Sequence, residues 1–261
     1  MARSGHAQGM EDGRAGRAAQ RTTAFVAAVW HDQRRRRLAL GALAAVAAAF
    51  AFARVTEDYL TNDPLARWDV TFSRWLAGER TTPGVDFFRV VTFFGSPAVG
   101  LAIAAVVCLA LYRRGRVVDA ALLPVVLGGA ELLNLILKLS FHRARPEVAF
   151  VHLDTYSFPS GHAMISTAAY GALAYLAWSH VRTTHGRVLV GVGTALLLAL
   201  IGFSRIYLGV HYLSDVLAGI AGGVFWLSVS IVLQTLYAER LAARFRGSRL
   251  DRLARRATRS R

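Results

Sequence analysis

The sequence predicts an all-α membrane protein: a six-helix transmembrane bundle with short interfacial helices in the first outer loop. Three observations lead there. Of 261 residues, 54% are hydrophobic, and the mean hydropathy is +0.38. The apolar residues are gathered into runs that approach the roughly 20 residues a membrane span requires. The formal net charge of +15 is confined to the chain ends and the segments between those runs, as basic flanks are. A protein this basic could instead bind nucleic acid, but its cations would then need a folded polar face, so no nucleic-acid partner is expected. The single cysteine, Cys108, lies inside an apolar run. Neither a disulfide framework nor a thiolate metal site can be built from it.

In chain order, residues 1–37 are rich in Gly, Ala, Arg and Gln and end in Arg34-Arg35-Arg36-Arg37. They read as a disordered basic cytoplasmic arm lying against anionic lipid. No secretory signal precedes the first span, which then directs insertion itself. The span-bearing unit is 38–237, with apolar runs at Leu38–Phe52, Pro97–Tyr112, Val117–Leu137, Ala163–Trp178, Val188–Phe203 and Leu213–Tyr237. Flanking Arg, Tyr and Trp lengthen the shorter ones. A basic cytoplasmic tail, 238–261, completes the chain. Most of the 31 Lys and Arg residues fall on one side if the N-terminus is inside. Both termini are then cytoplasmic in a plasma-membrane protein, and the loops at 138–162 and 204–212 share the outer face.

The first outer loop, 54–94, has helix signals of its own. Asp63-Pro64 is an N-cap followed by Pro at the first position, and Leu65, Trp68, Phe72, Trp75 and Leu76 recur at helical spacing. Thr82-Pro83 is a second start, before Phe87, Phe88, Val91 and Phe94. Their aromatic stripes read as bilayer anchors. Within the third run, Glu131 is expected to face the bundle interior, because an ionisable group in lipid is costly; Asn134 is the run's other polar residue. In the last run, Gly219 and Gly223 have the spacing of a close helix contact.

Three polar clusters stand at the outer ends of the runs. The first is Lys138-Leu-Ser-Phe-His-Arg-Ala-Arg145-Pro146, which contains the only lysine of the chain. If the helix persists past Lys138, Arg145 projects to the same side two turns on, and Pro146 then stops the helix. The second is Phe158-Pro159-Ser160-Gly161-His162. With Pro159 at the first helical position, the N–H groups of Ser160 and Gly161 would be unpaired donors at a positive helix end, an anion seat that glycine leaves open. The third is Ser204-Arg205 with His211 and Asp215. On a helix, residues four apart share a face, so the carboxylate can accept one imidazole N–H and leave the other ring nitrogen free. An imidazole held that way is a metal ligand, a nucleophile or a base. Arg205 suits a phosphate and would repel a metal, and no pattern of metal ligands is present. The combination points to phosphoryl transfer without metal or other cofactor.

These residues resemble the three signature motifs of the type-2 phosphatidic-acid phosphatase superfamily, which also includes vanadium haloperoxidases. The likeness extends over roughly residues 84–237 and is complete within the motifs. It implies an integral membrane phosphatase in which His211 attacks phosphorus to form a phosphohistidine. Asp215 would orient His211, and His162 would protonate the leaving oxygen and later activate water. Lys138, Arg145 and Arg205, with Ser160 and the Gly161 N–H, would hold the phosphoryl oxygens. His142 and Arg143 fall between motif positions and carry no assigned role. The expected substrate is a lipid phosphate or pyrophosphate, with polyprenyl pyrophosphate foremost, then phosphatidic acid or phosphatidylglycerol phosphate. A phosphotransferase with the same site would need an acceptor other than water. A non-catalytic protein that binds anionic lipid would have no use for an Asp four residues after a His.

Overall fold

The computed structural model describes residues 32–151 and 153–245; the arm up to residue 31 and the tail from residue 246 lie outside the described residues. The described chain is all helical: α1 (Gln33–Thr61), α2 (Pro64–Gly78), α3 (Thr82–Phe94), α4 (Pro97–Arg113), α5 (Val117–Phe141), α6 (Gly161–Trp178), α7 (Thr184–Tyr207) and α8 (Leu213–Phe245). Local chemistry sets most starts. Asp63 stands at the N-cap of α2 without a side-chain cap bond, Pro64 taking the first position, and the Thr81 hydroxyl takes the Gly84 N–H of α3. Ser96 and Thr183 do the same for Val99 and Gly186, satisfying donors that a helix start otherwise leaves unpaired. Two elements outrun the expected boundaries. Arg34 to Arg37 belong to the first turns of α1, which Asp32 caps, and α8 continues past Tyr237.

Among the described residues, four helices are long and apolar enough to cross a membrane by themselves: α1, α5, α7 and α8 through Ala238. The pair α3 and α4, bent by 41°, would make a fifth if it counts as one span. The second expected interfacial helix is therefore one limb of a bent pair, and its Phe88 ring packs 4.5 Å from that of Tyr207 on α7. The bend falls at Gly95, where a side chain would strike Ile201.

Helix α6 carries more polar residues, and it is also the most enclosed. It buries Ala163 through Ala169, Ala172 and Leu176 among α4, α5, α7 and α8. A helix surrounded by protein need not be apolar all round. Gly219 and Gly223 make the closeness possible, as expected: a Cβ on either would lie 2.6 Å from the Ser160 carbonyl oxygen or 2.5 Å from that of Met164. Outer helices instead present apolar faces, with Leu43, Val46 and Phe50 of α1 and Leu189 and Leu196 of α7 exposed. Glu131 departs from expectation. It is exposed on α5, and the buried polar residue of that stretch is Asn134, at 5% exposure.

Candidate active site

Helix α5 ends sooner than Pro146 suggested, because His142 takes a left-handed conformation (φ 49°) immediately after Phe141. Lys138 sits in its last turn, and Arg145 lies beyond the helix. The two cations converge through the returning loop and not through helix spacing. Arg145 donates from Nε to the Thr155 carbonyl (2.7 Å), from Nη2 to Thr155 Oγ1 (2.7 Å) and from Nη1 to the Val210 carbonyl (2.6 Å). Lys138 Nζ donates to the Tyr156 carbonyl. Neighbouring backbone groups thus hold both.

His211 occupies the turn between α7 and α8, which Gly209 enters with φ +69°, so the expected helical face is not what joins it to Asp215. Asp215 stands in the first turn of α8 and takes the Tyr212 backbone N–H on Oδ2 at 2.9 Å, half of a capping box. That anchoring leaves the same oxygen 3.4 Å from His211 Nδ1, with the Ser157 hydroxyl also bonded to it. On the other side of the ring, Arg145 Nη1 lies 3.3 Å from Nε2. A guanidinium can only donate, so Nε2 is the acceptor nitrogen and the proton sits on Nδ1. The ring is 2% exposed. Burial lowers its pKa to about 3 against the pull of Asp215, and Arg205 and Arg145 push the same way as burial. His211 is a neutral imidazole at physiological pH.

Pro159 is not the first helical residue. Ser160 is the N-cap of α6, its hydroxyl facing the Ala163 N–H at 3.5 Å. The Ser160 N–H, expected to be unpaired, donates to the Asp215 carbonyl at 2.9 Å. Gly161 and His162 open the helix. A Cβ on Gly161 would come 3.0 Å from Asn134 Oδ1, a contact tight enough that the Asn134 side chain would have to shift. His162 lies within electrostatic reach of Arg205, His211, Arg145 and Lys138. Arg205, in the last turn of α7, is 7% exposed. Its Nη1 donates to Thr92 Oγ1 on α3 at 2.6 Å, and its buried Nε has no hydrogen-bond partner. A buried charged donor without an acceptor is costly and fits an oxyanion. The expected residues therefore gather at one end of the bundle, on α5, α6, α7, α8 and the loops between.

Two residues in the same place were not singled out beforehand. Arg143 is buried and bonds Asp215 Oδ1 (2.7 Å), Ser214 Oγ (2.6 Å) and Asp69 Oδ2 (3.0 Å). Its guanidinium also lies over the rings of Tyr59 and Tyr212, 4.6 and 4.2 Å from their centroids. Burial opposes its charge, and Asp215 and Asp69 more than offset that, raising its pKa. Asp69 is fully buried on α2, on a face with Ala66, Ser73 and Leu76, while the aromatic residues Trp68 and Trp75 are exposed. No local pattern marks it, because the polar Ser73 shares the same buried face.

Comparison with known proteins fits this site. The PAP2 superfamily model matches residues 119–237, a stretch that contains all three motifs. Phosphatidylglycerophosphatase B of Bacillus subtilis is 32% identical over 136 residues, covering 51% of this chain and 67% of the relative. The crystal structure of a transmembrane PAP2 type phosphatidylglycerolphosphate phosphatase from Bacillus subtilis superposes with a TM-score of 0.67 at 27% identity, over 75% of this chain and 96% of that one. A structure of Aquifex aeolicus LpxE reaches a TM-score of 0.49 at 26% identity, over 60% of this chain and 91% of that one. The class is that of multi-pass membrane phosphatases, hydrolases acting on phosphate esters of lipids. The chain belongs to the PAP2 superfamily, in its bacterial membrane branch.

Proposed function

We propose that the protein hydrolyses a lipid phosphate or pyrophosphate through a phosphohistidine on His211, without a metal. The observation that carries this reading is the orientation of His211, with Nδ1 toward Asp215 and Nε2 toward Arg145. Nε2 attacks phosphorus while the phosphorus–oxygen bond to the lipid breaks. Asp215 holds the Nδ1 proton and offsets the positive charge that grows on the ring. His162 gives its proton to the leaving oxygen. In the second half His162 takes a proton from water, whose oxygen displaces Nε2 from phosphorus and releases phosphate. Lys138, Arg145 and Arg205, with Ser160 and the Gly161 N–H, are assigned to the phosphoryl oxygens. The phosphoryl group in transfer carries its charge spread over three equatorial oxygens, so cations fixed to match that arrangement lower the barrier.

The likeness to phosphatidylglycerophosphatase B favours phosphatidylglycerol phosphate among the candidate substrates. Undecaprenyl pyrophosphate and phosphatidic acid are the others. The reading includes six spans, α6 and the α3/α4 pair among them, with both termini cytoplasmic and the site on the outer face. It also includes anionic lipid at the basic ends. A cavity of about 350 Å3 lined by Arg34, Arg37, Tyr175 and Gln234 among others is consistent with a headgroup there.

The test is phosphate release by purified protein in detergent with EDTA, from these three lipids, for wild type and His211→Ala. Release by wild type alone supports the mechanism and ranks the substrates. Equal release by both would end it, and release that needs an added acceptor would indicate a phosphotransferase.

A further inference from the structure

Asp215 does not face His211 alone. Its Oδ2 serves His211, the Tyr212 N–H and Ser157, while its Oδ1 receives Arg143 Nη1 at 2.7 Å. A guanidinium this close would hold much of the carboxylate's charge, leaving less to balance a cation forming on His211. The other arm of Arg143 is taken, however: Nη2 donates to Asp69 Oδ2 at 3.0 Å. Asp69 is fully buried and accepts two further donors, the Ser214 N–H on Oδ1 at 3.1 Å and the Ser214 hydroxyl on Oδ2. Burial raises the Asp69 pKa above its ordinary value, and against it work the three donors on the carboxylate and the charge of the guanidinium paired with it at 3.0 Å, all of which favour the ionised form. The buried group then consists of two carboxylates, one guanidinium and a neutral imidazole, with one negative charge in excess. That excess is what an imidazole gaining positive charge requires.

We propose that Asp69 is a positioning residue of the phosphatase, which acts through Arg143 and Ser214 to share the guanidinium charge and keep Asp215 committed to His211. Asp69 does not touch the substrate. It lies on α2, outside the 119–237 stretch that the family model matches, so the chain of charge that ends at the nucleophile begins in the first loop. Ser214 strengthens the link, because it bonds Asp69 and Arg143 and stands next to Asp215 in the first turn of α8. The inference rests on the proposed role of His211.

Asp69→Asn keeps the size of the side chain and removes its charge. The expected result is a fall in kcat of about tenfold or more with KM within about twofold. Inhibition by orthovanadate, which can adopt the five-coordinate geometry of phosphorus under attack, should weaken by a similar factor. Inhibition by inorganic phosphate, a ground-state anion, should not change. A purely structural role would move both inhibitors together, and that result, or a wild-type kcat, would overturn the proposal. If Asp69→Asn does not fold, Ser214→Ala decides the matter by the same split, because it deletes the hydroxyl that joins Asp69 to Arg143. His211→Ala separates the two levels. Activity retained without His211 refutes the phosphohistidine reading itself, whereas an inactive His211→Ala beside a fully active Asp69→Asn refutes only the role of Asp69.

Discussion

Thr92 Oγ1 accepts a 2.6 Å hydrogen bond from Arg205 Nη1 across 113 residues of chain. It is the only side-chain oxygen bonded to that guanidinium among the described residues, so the bent limb α3 sets where one of the cations proposed for the phosphate points. A hydrogen bond to a charged group is worth about 1.5–3 kcal/mol. Thr92→Val should therefore lower kcat/KM on a lipid phosphate by about 10- to 100-fold. Steady-state kinetics in detergent check this, and an unchanged value would mean that Arg205 is held without Thr92.

The acid limb of activity should lie well below that of an ordinary imidazole. His211 has its pKa lowered to about 3, chiefly by burial, so the free enzyme keeps a neutral nucleophile as pH falls through 6.5. A pH profile of kcat/KM reports this group. Arg145 lowers the His211 pKa, so Arg145→Gln should move the limb upward, whatever it does to the rate. The same shift bears on stability. Between pH 6.5 and about 3 the unfolded chain takes up a proton at this position that the folded chain resists, so folding weakens as pH falls through that window.

Arg80 braces the loop that carries the cations. It donates to the Tyr207 carbonyl at 2.7 Å and to the Val148 carbonyl at 2.6 Å, and a Cβ on Gly209 would meet its Nη2 at 2.2 Å. Arg80→Met should lower the unfolding free energy by about 2–4 kcal/mol. It should also speed amide hydrogen exchange in the 143–157 segment selectively. Uniform exchange along the chain would argue against a local brace.

The seam between α6 and α8 tolerates no side chain at Gly219, where Ser160 O and Ala163 Cβ lie 2.6 and 3.0 Å from an added Cβ. Gly219→Val should cost about 1–3 kcal/mol through overpacking and displace Ser160 and His162 together. Thermal unfolding followed beside activity tests this: activity should fall more steeply than the melting temperature.

Much of the site was legible because its motif residues are close in sequence and rare in type. A lone lysine, Pro-Ser-Gly-His, and a His four residues before an Asp each stand out from apolar surroundings. The geometry that joins them was less legible. His211 and Asp215 were expected to share a helical face, yet a glycine turn and a helix cap bring them together. Lys138 and Arg145 were expected on one stripe, yet a left-handed His142 ends the helix between them. Asp69, Thr92 and Arg143 could not be read at all, because their partners lie between 71 and 145 residues away and nothing local marks them. Glu131 shows the reverse error: the cost of a charge in lipid placed it inside, and it is exposed on α5.

The enclosure of α6 has a bearing on how the protein is made. Its polar first turns suit a protein environment better than lipid, and α8 supplies that environment only after the rest of the domain has left the ribosome. In the six-span arrangement, α6 must wait at the insertion machinery, or lie loosely in the bilayer, until Gly219 and Gly223 arrive to receive it. A chain stopped after Tyr207 should leave α6 accessible to water-soluble thiol reagents at an introduced cysteine, and the full chain should protect it. Biogenesis and assembly of the site would then be one event, with His162 entering the membrane only when the helix that follows His211 is there to meet it.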